Sequence, residues 1–379
     1  MSRRGNCSSC GLPHRLAELL DWREGGNIFT RFKPRRQVII LEHCELQTLL
    51  EKAEERGGEE LMRRLATVRR RYLRHRTAQQ AEGANSRLLR GRRLGRRAVL
   101  YALQEARLFG LGRLEVEELE GKKRLTLTIE HPYHPQMLAA DICGFWEGLF
   151  RVRAEETLEQ KGAHSWRLRL MSGGELPQRS MEYRELTEKE AGKRDRGIER
   201  CPACRMPAHL SRLQWDPIQG TIYDPERGRY HVVVEVAGMN LLIKEMRSFL
   251  GGDYGPVARS AFATSLSDGS LAAPSLDPGS VVGEWPALGW GEAEGAAQRP
   301  FLEELMLRSP ALPSMAEHKL AALYQLRWGE EVDSSLYRGE NGLYRFSVCP
   351  QLTEYSMNLE TLRQRFPQLI AHPLSFLPF

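Results

Sequence analysis

The residues best equipped for chemistry are four thiols in two short pairs, Cys7-Ser8-Ser9-Cys10 and Cys201-Pro202-Ala203-Cys204. A C-x-x-C turn offers two thiolates to one cation, and a structural zinc takes four ligands at the corners of a tetrahedron. Neither pair is sufficient alone. Cys7, Cys10, Cys201 and Cys204 around one shared zinc would complete the shell. So would each pair with a neighbouring histidine, His14 or His209. A third reading is uncoordinated or redox-active thiols. The two histidines do not correspond when the pairs are superimposed, and the shared site is the expectation. Its role would be structural, because four thiolates leave no open coordination position.

The pairs belong to a longer repeat. Sliding the chain by 194 positions lays Cys7–Gly58 on Cys201–Gly252 without a gap, with identity at twelve of fifty-two positions. The identities fall on the thiols, on Pro13 and Pro207, on Gly26 and Gly220, on Val38 and Val232, and on the closing Gly57-Gly58 and Gly251-Gly252. These are positions where turns, metal ligation or alternating burial restrict the residue type. The chain is therefore expected to be a tandem duplication, a pseudo-dimer within one polypeptide.

The elements that must hold the knuckles can be traced in each copy. Residues 28–32 and 37–41 alternate across a Lys33-Pro34-Arg35-Arg36 turn as a hairpin, and Leu46, Leu49, Leu50 and Ala53 recur at helical spacing up to Gly57. Met62, Leu65, Val68 and Tyr72 mark a second helix, and Leu94, Ala98, Tyr101, Ala102 and Leu108 a third. Two strands, 113–118 and 124–130, lead into His131-Pro132-Tyr133-His134-Pro135, where two prolines force a turn. A helix over 136–149 and a closing antiparallel pair, 150–155 and 165–171, complete the copy. His131, His134 and Cys143 read as turn and packing residues rather than a second metal cluster.

The predicted fold class is α+β, as two tandem repeats. Each has a small antiparallel sheet with packed helices, preceded by a Cys knuckle and β-hairpin. The predicted domains are 1–171, a charged linker 172–200, and a degenerate second copy 201–379 with a flexible Gly/Ser/Ala/Pro-rich insertion at about 265–300. After the insertion a helix over 317–327, strands over 331–337 and 343–348, and a helix near 357–366 follow the order of the first copy. The second, arginine-rich helix has no evident counterpart there.

Bulk properties narrow the function. With 379 residues, 41% hydrophobic and 27% charged, the chain suits two globular cores, and no apolar run approaches the roughly 20 residues of a membrane span. No hydrophobic leader precedes Cys7, so the cytoplasm is the expected location, where thiols stay reduced. The net charge of +6 is uneven. Residues 61–99 hold thirteen arginines, no lysine and the single acid Glu82, a local +12 that leaves the remainder at −6. Arg63, Arg64, Arg69, Arg70, Arg71, Arg74 and Arg76 mostly occupy helix faces outside the apolar stripe, where they are expected to be exposed and available to nucleic acid, anionic lipid or an acidic protein. The bland alternative is a solvated face. Only Tyr72 interleaves with these arginines, which disfavours single-strand stacking. Nucleotide-binding glycine loops, G-x-S-x-G elbows and H-E-x-x-H helices are all missing from the sequence, and nothing specifies a catalytic acid, base or nucleophile.

The third helix, the two strands, the Ile129-Glu130-His131-Pro132-Tyr133-His134-Pro135 turn and the helix carrying Gly144-Phe145-Trp146-Glu147-Gly148 resemble the 4-vinyl reductase, or hydrocarbon-binding, domain family. The Cys-Pro-x-Cys and hairpin block resembles the N-terminal part of its bacterial members. The resemblance implies an α+β domain whose helices enclose an apolar cavity, frequent dimer formation, and ligand binding more often than catalysis. On that basis Tyr101, Tyr133, Met137, Ile142, Phe145 and Trp146 are candidates to line a pocket, although a stripe of this kind equally describes a filled core. The family's cysteine-rich C-terminal hairpin is missing, since residues 150–171 contain no cysteine. The expected function is non-catalytic binding of a small apolar or acyl ligand, or a scaffold, with a structural zinc. The alternative is a zinc-containing regulatory protein that binds a polyanion through its arginine helix. An accessory reductase ranks last, because no cofactor motif supports it.

Overall fold

Two apolar runs, Val38–Leu41 and Val232–Val234, are too continuous for strands with one wet face, and each becomes the central strand of its copy. In the computed structural model, which describes residues 5–32, 34–83, 92–176, 197–267, 277–299, 302–339 and 342–351, they pair with each other. The first copy contributes α1 (His14–Leu19), β1 (Leu20–Arg23), β2 (Asn27–Thr30) and β3 (Gln37–Glu42). The second contributes a 3-10 turn (Ala208–Arg212), β8 (Gln214–Asp216), β9 (Thr221–Asp224) and β10 (Arg229–Glu235). Together they form one antiparallel six-stranded sheet in the order β1-β2-β3-β10-β9-β8. Val38 faces Glu235, Ile39 faces Val234, Ile40 faces Val233 and Leu41 faces Val232. Val38 and Val232 are repeat equivalents, as are Leu41 and Glu235. This register is the one a twofold axis between the two central strands generates.

Each copy then builds a helix-backed sheet of four strands. In the first, α2 (His43–Gly83) bends at Gly58, whose φ of 65° and ψ of −169° break the helical path. It is followed by α3 (Arg92–Leu108), β4 (Arg113–Glu120), β5 (Arg124–Glu130), α4 (Pro135–Phe150), β6 (Val152–Gly162) and β7 (Ser165–Glu175). The sheet order is β4-β5-β7-β6. His134 caps α4 by accepting a 3.4 Å hydrogen bond from the Met137 N–H, and Pro135 opens the first turn. Gly144 and Gly148 let α2 cross α4 closely, since a Cβ at either would strike the backbone carbonyl of Arg70 or Arg74.

The second copy has α5 (Val236–Leu250), α6 (Tyr254–Ser267), α7 (Pro278–Leu288), β11 (Glu292–Arg299), β12 (Leu302–Arg308), α8 (Pro313–Trp328), β13 (Val332–Arg338) and β14 (Leu343–Pro350), with sheet order β11-β12-β14-β13. Three expectations are corrected here. Residues 278–299, expected within a flexible insertion, form α7 and β11. The arginine-rich half of α2 does have a counterpart, because α6 packs on α8 as α2 packs on α4. The partner of α4 is α8, with Ser309 (φ 48°) repeating the left-handed turn of His131 (φ 51°) and Gly329 repeating that of Arg151. The helix predicted near 357–366 and most of the 172–200 linker lie outside the described residues.

The repeats are interlocked rather than side by side. Gly112 donates its N–H to the Gly220 carbonyl at 3.0 Å, and Gly291 donates to Gly26 at 3.3 Å. The hairpin of each copy thus packs on the four-stranded body of the other. A Cβ at Gly26 would stand 2.5 Å from the Gly291 carbonyl oxygen, so the turn before β2 needs its glycine for this approach as well as for its positive φ. No helix among the described residues is long and apolar enough to cross a membrane.

Candidate metal centre and apolar cavity

The two knuckles have the same backbone. Cys7 N–H reaches the Leu12 carbonyl and Gly11 N–H returns to Cys7, while Cys201 and Arg205 repeat these bonds with Met206 and Cys201. Gly11 (φ 74°) and Arg205 (φ 65°) occupy the same left-handed position. The two knuckles come together across the repeat, and their thiols meet. Cys7 Sγ lies 3.8 Å from Cys201 Sγ, Cys10 Sγ lies 3.4 Å from Cys204 Sγ, and all four sulfurs lie within 4.8 Å of one another. Four sulfurs held about 2.3 Å from a central ion stand roughly 3.8 Å apart at a tetrahedron's edge, so the cluster has the dimensions of a metal site. Among the described residues it is the only such convergence of potential ligands. His14 and His209 are not part of it.

Backbone donors and burial act on the four thiols in opposite directions. The backbone N–H groups of Ser9 and Cys10 turn towards Cys7 and bring its thiol down to about 6, whereas burial and the neighbouring sulfurs push Cys10 up. Cys201 is likewise lowered, chiefly by the Cys204 N–H, and Cys204 is raised by burial. A dication would favour the thiolate at each.

The second feature is a cavity of about 570 Å³ inside the first body, closed on one side by Val233, Val234 and Glu235 of β10 from the other copy. The predicted lining residues divide. Tyr101, Ile142 and Phe145 face it, with Tyr101 42% exposed beside Phe32 at 44%, which marks the mouth. Tyr133, Met137 and Trp146 do not. They are buried in the filled core, Tyr133 donating to Asp141 at 2.9 Å and Trp146 packed edge-on against Phe150 at 4.6 Å.

The sequence reading missed the charged part of this lining: Arg36, Arg69, Arg76, Glu105, Asp141 and Glu235. Arg69 makes a two-point pair with Asp141, Nε to Oδ1 at 2.8 Å and Nη2 to Oδ2 at 2.5 Å. Arg36 and the Tyr72 hydroxyl both bond Glu235, which Arg76 approaches to 2.9 Å. A signal was present. Met62, Leu65, Arg69, Tyr72 and Arg76 recur at spacings of three and four, so two arginines sit on the apolar stripe rather than opposite it.

The expectation of an exposed arginine face is corrected accordingly. Arg69 is 7% exposed, Arg70 bonds Glu147 and Glu156, Arg74 lies 3.5 Å from Glu147, and Arg76 lines the cavity. Arg63, Arg64 and Arg71 are exposed, with Arg63 and Arg64 sharing Glu60.

In the second body the corresponding space shrinks to about 10 Å³, room for a single water at most. Leu111 N–H bonds the Ala106 carbonyl at 3.1 Å, and Trp290 N–H bonds that of Trp285 at 3.0 Å. Trp285 therefore replaces Ala106 and Trp290 replaces Leu111, and the two indoles stack at 5.3 Å. Lys319, seven positions into α8 as Asp141 is into α4, lies 2.5 Å from the fully buried Glu45. Comparison with family models, curated proteins and solved structures finds no match to this chain.

Proposed function

We propose that the protein is a non-catalytic binding protein for a small apolar or acyl ligand, held in one half of a zinc-stapled tandem of hydrocarbon-binding-type domains. The observation that carries the reading is the 570 Å³ cavity, which falls in the range of small-molecule sites and is lined mainly by Val, Leu, Ile, Phe and Ala. Its enclosure by elements from both copies supports a built pocket rather than a packing defect, since cores of this size are normally filled to near-crystalline density. The four-thiolate cluster supports one zinc per chain, bound by Cys7, Cys10, Cys201 and Cys204, with a role in joining the copies.

Native mass spectrometry of protein purified from cells tests both parts. One zinc per chain and a co-purifying apolar mass are expected. Two metals per chain would sink the shared site. A bare cavity, with no melting-temperature shift across a panel of aromatic and acyl compounds, would leave a scaffold role. The polyanion reading now rests on Arg63, Arg64 and Arg71. Salt-dependent binding to nucleic acid or acidic vesicles that is lost on changing these three would revive it.

A further inference from the structure

The polar groups of the cavity are unevenly satisfied. Both oxygens of Asp141 and both of Glu235 are engaged by arginine or tyrosine donors. On the donor side, Arg36 Nε, Arg69 Nη1 and Arg76 Nε are buried without a hydrogen-bond partner, as is the hydroxyl of Thr77. All four side chains line this one cavity. A guanidinium only donates and stays charged at any physiological pH, so three unmatched N–H groups in one enclosure ask for an acceptor. Buried donors left unmade cost free energy, and these belong to side chains that line one volume.

Three guanidiniums and three carboxylates, those of Asp141, Glu235 and Glu105, line the cavity, and the carboxylates of Asp141 and Glu235 are already engaged. The remaining walls, such as Val99, Leu103, Ile142 and Leu149, are hydrocarbon. We propose that the cavity selects an apolar ligand with an anionic oxygen head group, a carboxylate on a hydrocarbon body, seated against Arg36, Arg69 and Arg76. The inference rests on the reading of this cavity as a binding site and adds the chemistry of its occupant. A carboxylate matches the guanidinium fork, and the enclosed setting strengthens each charge-assisted bond. In the second body Lys319 lies 2.5 Å from Glu45, and the space beside this charged pair is only about 10 Å³.

The test compares head groups on one hydrocarbon chain. The full-length protein is titrated calorimetrically near pH 7.5 with dodecanoate, dodecan-1-ol and methyl dodecanoate, each below its aggregation threshold. Dodecanoate is expected to bind at least about tenfold more tightly than either neutral compound, as a charge-assisted contact predicts. Arg76→Met should reduce that preference to under about threefold. Equal binding of all three by the unaltered protein would overturn the head-group inference and leave the apolar pocket standing. Failure of all three to bind would remove the pocket reading and the inference with it. The comparison on unaltered protein decides the matter even where Arg76→Met does not fold.

Discussion

The two four-stranded bodies share an element order, a sheet order and a left-handed turn before the long helix, yet one encloses about 570 Å³ and the other about 10 Å³. The difference lies in a few side chains on an unchanged frame. Ala106 and Leu111 leave room where Trp285 and Trp290 fill it, and the Arg69–Asp141 pair has its place taken by Lys319 and Glu45. A duplicated chain needs both copies for the shared sheet and the thiol cluster, so neither can be lost. Only one needs to keep a pocket, and the other is free to exchange it for packing. On the proposed reading, ligand binding and packing are divided between the two halves.

The strongest way to break this arrangement is at the point where the halves meet. Cys201→Ser removes one of four thiolates, and the remaining three cannot close a tetrahedral structural site. Metal content should fall from one per chain to none. Stability should drop by on the order of 5 kcal/mol or more, because structural metal binding is coupled to folding. Retention of full metal and an unchanged melting temperature would show that the knuckles do not hold the halves together.

Next in size is the filled half. Trp285 is 1% exposed and stacks on Trp290, whose indole N–H reaches the Ile40 carbonyl at 3.2 Å across the interlocked interface. Trp285→Ala should cost about 3 to 5 kcal/mol and open a void where Ala106 leaves one in the other body. A loss below about 1 kcal/mol by denaturant titration would mean that this half is not relying on the indole for packing.

How much of this was legible in the sequence follows from which forces are local. The knuckle spacing, the gapless repeat and the β4 to β7 succession are set by turn chemistry and by periodicity, and each was readable. The shared four-thiol cluster was readable too, because neither C-x-x-C pair could complete a site alone. The swap of hairpins between bodies was not, since Gly112 meeting Gly220 depends on long-range packing that no window of sequence records. The α8 counterpart was missed because Ser309-Pro310-Ala311-Leu312-Pro313 shares only its prolines with the His131 turn. The arginines of α2 misled because guanidiniums are normally solvated, and only a buried Asp141 on the facing helix makes Arg69 an inward residue.

Acid should weaken both halves more gradually. Burial holds His43, His134, His231 and His318 each at about 4, so all four stay neutral in the fold. The unfolded chain takes up protons below the ordinary histidine value of about 6.5, and the folded chain resists until about 4. Stability is therefore complete above about 6.5 and falls as pH drops through the window from 6.5 to 4, by on the order of 1 to 3 kcal/mol for a fully buried ring such as His231. His231 borders the closed space of the second body, so His231→Gln should flatten the profile there. A melting temperature constant from pH 7 to pH 4.5 would contradict the burial of these rings.

The smallest expected change in stability carries the sharpest test of the comparison. Ala106→Trp places in the open half the residue that its counterpart position already uses in the closed half, on a helix whose backbone hydrogen bond to Leu111 matches that of Trp285 to Trp290. Inserting a large side chain into a well-packed core costs about 1–3 kcal/mol, but here it enters an existing volume and gains apolar contact. The two terms oppose each other, and the net change should stay within about 1 kcal/mol. Ligand affinity should respond very differently. An indole at a position that lines the cavity takes volume that a hydrocarbon chain would need, so dodecanoate binding should fall by at least about a hundredfold, as lost burial of a few methylene groups predicts. None of the four thiols lines the cavity, and metal content serves as the control. Binding that survives Ala106→Trp undiminished would place the ligand elsewhere, and the contrast between an open and a closed half would then describe packing alone.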